Sequence, residues 1–145
     1  MILFSCALEL QLNNIIIMNN LIIDAARGKI FLTLIVYKNI YTCTYENSKI
    51  NFDRLIILIN DILKKNMSSL DDLDAIYVNR GPGSYAGIRN SLATIKALFL
   101  VKKIDYYCYS FDDFKGLNVD KYEDVPYYCK KFKIKKNLIN PNYIS

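Results

Sequence analysis

The stretch AIYVNRGPGSYAGIRNSLATIKALFLVK, residues 75–102, carries the architecture in miniature. It opens with Ala75 to Val78, an apolar run short enough to be a buried strand. Gly81-Pro82-Gly83 then breaks the pattern, and Ser84 is placed to cap a helix. Tyr85 to Lys102 reads as that helix, long and unbroken, with Ile88, Leu92, Ile95 and Phe99 on a single stripe at i, i+4, i+7 and i+11. Lys102 and Lys103 suit the negative end of its dipole.

Downstream, Asp105 to Tyr109 is the next strand, and Ser110 caps a short turn through Phe114. Upstream, Asn51 to Lys65 carries Phe52, Leu55, Ile56, Ile59, Ile62 and Leu63 on one helical stripe, with Asn51 as its expected N-cap. Ser68 to Asp72 reads as a turn with short-helix capping character. Earlier still, Leu21 to Asp24, Ile30 to Tyr37 and Ile40 to Tyr45 read as strands, with Lys38-Asn39 as a two-residue hairpin turn. The order is β-β-β-α-β-α-β. Three early strands make an antiparallel meander, and the later crossovers add parallel strands. The expected fold is α/β, a mixed sheet of about five strands carrying two long helices. That topology is the core of an actin/ribonuclease-H-like (ASKHA) lobe, an analogy that says nothing of function by itself. From Lys115 onward the signals weaken, and Val125 to Cys129 and Phe132 to Ile134 look strand-like.

Composition narrows the chemistry. The chain has 145 residues, a net charge of +5, four cysteines and no histidine. Without histidine there is no Ser-His-Asp or Cys-His nucleophilic site and no imidazole base. Cys6, Cys43, Cys108 and Cys129 are too far apart for metal-ligand spacing; their even number is compatible with a disulfide framework, but they read better as reduced, buried thiols of a cytoplasmic protein. No catalytic residue, metal or cofactor is expected. Much of the charge sits in Lys130, Lys131, Lys133, Lys135 and Lys136, either a solvated tail or a phosphate-contacting patch. Residues 1–17 hold two apolar runs interrupted by Glu9, Gln11, Asn13 and Asn14, with neither a basic leader nor a cleavage site. No segment is long and apolar enough to span a bilayer, and no membrane association is expected. The expected organisation is a disordered upstream extension over 1–17, with Met18 as the physiological start, then a lobe over 18–115 and a reduced, lysine-rich remainder over 116–145.

The long helix has an unusual outer side. Opposite the core stripe lie Ala86, Asn90, Ala93, Ala97, Leu100 and Val101, where a water-facing helix would carry charge. The first helix repeats the feature more weakly at Ile57 and Leu58. Small and apolar residues on both sides of a helix call for cover on both sides, from a further layer of the same chain or from another protein, and alanine is also simply a good helix former; these residues form a candidate protein interface. The turn before the helix is a second candidate. Gly81 and Gly83 permit a close backbone approach, Ser84 heads the helix, and Arg89 lies one turn in, so an anion could bind there. The spacing is neither a Walker P-loop nor G-x-G-x-x-G, and a plain strand-to-helix turn fits it equally.

The same turn resembles a family signature. Gly81 to Arg89 resembles the G-P-G-S-F-T-G-x-R motif of the bacterial TsaB (YeaZ) family. Leu21-Ile22-Ile23-Asp24 is similar to that family's opening I-x-A-I-D-T-S strand, Ser69 to Ile76 to its S-L-x-D-I-D-A-I segment, and Ser91 to Leu98 to G-L-A-T-A-K-G-L. The resemblance runs from Met18 to Phe114. It implies a non-catalytic scaffold subunit in the making of N6-threonylcarbamoyladenosine in tRNA. It implies pairing with a TsaD-type catalytic paralogue through the two long helices, recruitment of a TsaE-type ATPase, and only indirect contact with tRNA. A second copy of the chain would take the partner's place in isolation. The chain departs from the pattern in three ways. Ala25-Ala26 replace Thr-Ser, Tyr85-Ala86 replace Phe-Thr, and most of the family's second lobe is missing. Lost hydroxyls weaken the competing reading, an actin-like ATPase or phosphotransferase fragment with Asp24 positioning a metal and Gly81 to Ser84 holding phosphate. A peptidase, once suggested for relatives by name, lacks both histidine and a metal-ligand cluster.

Overall fold

The computed structural model describes residues 18–143, so the expectation for residues 1–17 lies outside it. The strands β1 (Asn20–Asp24), β2 (Lys29–Val36) and β3 (Asn39–Glu46) form an antiparallel meander. The strands β4 (Ala75–Asn79) and β5 (Asp105–Tyr109) add in parallel on the other side of β1, giving the order β3-β2-β1-β4-β5. The hairpin turn is Tyr37-Lys38, one residue earlier than Lys38-Asn39, because Val36 already pairs with Asn39. Both turn residues have positive φ, 50° and 69°, which a two-residue turn between twisted strands requires.

Two short helices, α1 (Lys49–Asp53) and α2 (Leu55–Lys65), replace the single helix expected from Asn51. The cap is Ser48, whose Oγ accepts the Asn51 amide at 3.1 Å. Asn51 instead donates its side-chain amide to the Glu46 carbonyl at 2.8 Å, tying the helix to the end of β3. The helix α3 (Tyr85–Lys102) is capped by Ser84, whose Oγ accepts the Gly87 amide at 3.2 Å. It stops at Lys103, which turns left-handed with φ 59°.

These helices cover one face of the sheet. Leu21 and Ile23 of β1 and Leu32 and Leu34 of β2 meet Leu55, Ile59, Ile62, Ile88, Leu92 and Ile95, all buried. The other face carries Ile22, Ile35, Ala75, Tyr77 and Tyr109, and the C-terminal segment covers it with Phe114, Val125 and Cys129. Phe111, Tyr122, Tyr128 and Phe132 pack around them.

The C-terminal segment corrects the expectation of strands. Val125–Lys131 is a helix, α4, with Pro126 in its first turn, where the missing amide costs nothing. Phe132 to Ile134 closes it, Lys133 turning left-handed and the Ile134 amide reaching the Cys129 carbonyl at 2.9 Å. The aromatic composition suggested strands, but it reflects the aromatic sheet face these residues pack on. Lys136 then bridges Tyr107 antiparallel, and Asn137 exchanges hydrogen bonds with the Tyr106 backbone at 2.8 and 2.9 Å. No helix among the described residues is long and apolar enough to cross a membrane.

Candidate functional site

The outer side of α3 is the first candidate. Ala86, Ala93 and Ala97 are exposed, and Leu100 and Val101 are 58% and 76% exposed. Asn90 is half-buried and donates to its own helix, at the Ala86 carbonyl (2.8 Å). Between α3 and α2 runs an apolar groove of about 340 Å³ lined by Ile56, Leu70, Thr94, Ala97, Leu98 and Val101. On α2, Ile57 is 45% exposed, but Leu58 is only 5% exposed and belongs to the core. Leu58 is therefore removed from the interface set. Neighbouring helical residues point about 100° apart, and the sheet side takes Leu58.

The chain's own tail reaches the N-terminal part of this helix. The Asn142 amide donates to the Arg80 carbonyl at 2.7 Å, and Tyr143 lies on Tyr85 with ring centroids 4.8 Å apart. Ile139, Pro141 and Tyr143 form one wall of a groove of about 420 Å³ whose other wall is Arg89, Leu92, Ala93 and Lys96. Ala97, Leu100 and Val101 lie beyond the residues of that groove.

The glycine turn is built for close packing. A Cβ on Gly83 would meet the Ala26 carbonyl oxygen at 2.0 Å, and one on Gly87 would meet the Ala25 carbonyl oxygen at 1.8 Å. The glycines thus let the start of α3 sit directly on the chain leaving β1. Three amides of the turn are engaged within the fold. Gly81 N donates to Asn79 Oδ1 (2.9 Å), Ser84 N to the Ala26 carbonyl (2.7 Å) and Gly87 N to Ser84 Oγ. Arg89 is exposed and lines the tail groove instead. Gly81 and Ser84 thus engage their amides within the fold, while Arg89 faces the tail groove.

Known proteins resemble this lobe in sequence and in fold. The sequence profile of the family described as TsaD, tRNA N6-adenosine threonylcarbamoyltransferase, matches residues 48–110, the span from the α1 cap to the end of β5. The tRNA threonylcarbamoyladenosine biosynthesis protein TsaB of Buchnera aphidicola subsp. Baizongia pistaciae (strain Bp) is 41% identical over 46 residues, 32% of this chain and 21% of that protein. The structure of YeaZ from Pseudomonas aeruginosa superposes with a TM-score of 0.60 at 20% identity, covering 64% of this chain and 44% of that one. A second solved structure, a protein with similarity to peptidase YeaZ from the same organism, also gives 0.60 at 20% identity, with 64% and 43% covered. These matches make the lobe similar in sequence to TsaB and TsaD proteins and similar in fold to YeaZ. The match spans about a fifth of the curated TsaB relative and under half of each YeaZ structure.

In this lobe the carboxylate at the end of β1 is enclosed. Asp24 is fully buried, and its Oδ1 accepts the Ala26 amide at 3.0 Å. Its Oδ2 accepts the Tyr122 hydroxyl at 2.7 Å and lies 3.4 Å from Arg27 Nε. Arg27 in turn lies over the Phe111 ring, 4.3 Å from its centroid. Burial, and then the charge of Asp24, push the Tyr122 hydroxyl above its ordinary range, keeping it a donor. The recess left beside this cluster, lined by Arg27, Phe111, Val119 and Tyr122, holds about 30 Å³, room for one water. A buried carboxylate with three partners is a satisfied structural group, not an open metal ligand.

Two residues of this lobe escaped sequence reasoning. Tyr122 approaches Asp24 across 98 positions of chain, which no local pattern reveals. Arg80 pairs with Asp113 through Nη2 (2.7 Å) and Nε (3.3 Å) and donates from Nη1 to the Asn140 carbonyl (3.2 Å). It thereby fastens the glycine turn, the turn after β5 and the tail together. The Ser110–Asp113 capping box was the one available hint.

Proposed function

We propose that the chain is a non-catalytic pairing subunit of the apparatus that makes N6-threonylcarbamoyladenosine in tRNA. It docks the open side of α3, with Ile57 of α2, on a TsaD-type catalytic subunit in the cytoplasm, and the pair recruits a TsaE-type ATPase. One observation carries this reading. Ala97, Leu100 and Val101 present an apolar surface beside a groove between the two helices, a surface a lone chain gains nothing by exposing. The names of the relatives supply the pathway, and the sequence profile covers the two helices in question.

Co-expression with the TsaD-type subunit of the same genome tests it. The wild-type pair should co-elute. Ala93→Arg and Ala97→Arg should leave the fold intact but weaken pairing by about 3–5 kcal/mol, the cost of burying an unpaired charge. A complex retained by both variants overturns the reading. The ATPase alternative is disfavoured chiefly by the enclosed Asp24, whose carboxylate is taken up by Ala26, Tyr122 and Arg27.

A further inference from the structure

The sheet face opposite the helices carries a second surface of different character. Lys130, Lys131, Lys133 and Lys135 are exposed and meet no carboxylate within ion-pair distance among the described residues. Lys136 pairs with Asp105 at 3.7 Å. The left-handed turn at Lys133 folds the chain back, so that Lys130 and Lys133 line the same recess, of about 400 Å³. Its other walls are Met18, Pro126, Ile134 and the stacked pair Tyr77–Tyr107, whose rings lie 5.0 Å apart and 11° from parallel. Phe132 and Ile134, between the lysines, turn inward onto the aromatic core.

We infer that this surface binds single-stranded RNA, the lysines holding phosphates and the recess taking an unstacked base beside Tyr107. Cations bordering an aromatic recess are the arrangement by which proteins hold single strands with little sequence preference. A lipid surface would use the lysines but leave the recess empty, and no large apolar side chain of residues 130–136 is exposed for insertion. A duplex keeps its bases stacked and would use the charge alone. The open side of α3 lies across the sheet, so RNA binding and helix pairing can fail independently.

Fluorescence anisotropy of the full chain tests this with a labelled single-stranded RNA, its duplex and phosphatidylserine vesicles. Four phosphate contacts should give a log–log salt slope of about −3 on the single strand. Lys130→Glu/Lys133→Glu should weaken binding about tenfold or more, while Lys64→Glu/Lys65→Glu, matched in charge on α2, should change it by about twofold at most. Tyr107→Leu should weaken the single strand and leave the duplex unchanged. No saturable RNA binding at about 50 mM salt overturns the inference. So do equal losses in the two double variants, tighter binding of duplex or vesicles, or an unaltered single-strand affinity in Tyr107→Leu.

Discussion

One face of the sheet is covered by regular helices with aliphatic side chains, the other by an irregular segment with aromatic ones. On the first, Leu and Ile at helical spacing pack on Leu21, Ile23, Leu32 and Leu34. On the second, Tyr109, Phe111, Phe114, Tyr128 and Phe132 stack and tilt on one another, with Phe114 at the centre of four ring contacts. A short segment without long helices covers a sheet face only by using large side chains, and aromatic rings bury the most area per residue. The outer surfaces differ too. The helical layer ends in exposed Leu100 and Val101, the aromatic layer in lysines. One chain thus presents an apolar surface on one side and a cationic one on the other.

The contrast between the two layers is most exposed to refutation at Phe114→Ala. Phe114 is fully buried, and a cavity there should cost about 3–5 kcal/mol by urea titration. A cost under about 1 kcal/mol would mean that the aromatic layer is a loose cover rather than a second core. On the helical side, Gly87→Ala should cost about 2–3 kcal/mol, the upper part of the overpacking range, because the obstacle is the Ala25 backbone and not a mobile side chain. If it proves neutral, α3 is not seated as closely on β1 as described.

The smallest expected effect lies at the join between the layers. Tyr122→Phe should cost about 1.5 kcal/mol, with Arg27 still holding the Asp24 carboxylate. It should also change the alkaline limb of stability. Tyr122, Tyr77 and Tyr109 are all raised from the ordinary value of 10.0, chiefly by burial, so the unfolded chain ionises first. The stability these tyrosines contribute is present below pH 10.0 and is lost as pH rises beyond it. Tyr122→Phe should fall less steeply between about pH 9 and pH 11, and an unchanged slope would remove Tyr122 from the join.

The order of strands and helices along the chain, the long helix with its Ser84 cap, and the glycine turn were all legible in the residues themselves. They rest on apolar period, capping and turn chemistry within a few positions, so local reading suffices. The unusual outer side of α3 was marked in the same way. Leu58 was misassigned, since a break at Arg54 and the sheet's choice of face lie outside any helical stripe. Only the folded chain shows that Val125–Lys131 is a helix, that Tyr122 closes over Asp24, and that the tail lies beside α3. Each of those depends on contacts between residues distant in the chain, whose free energy comes from burial and hydrogen bonding on a surface that exists only once the sheet has formed.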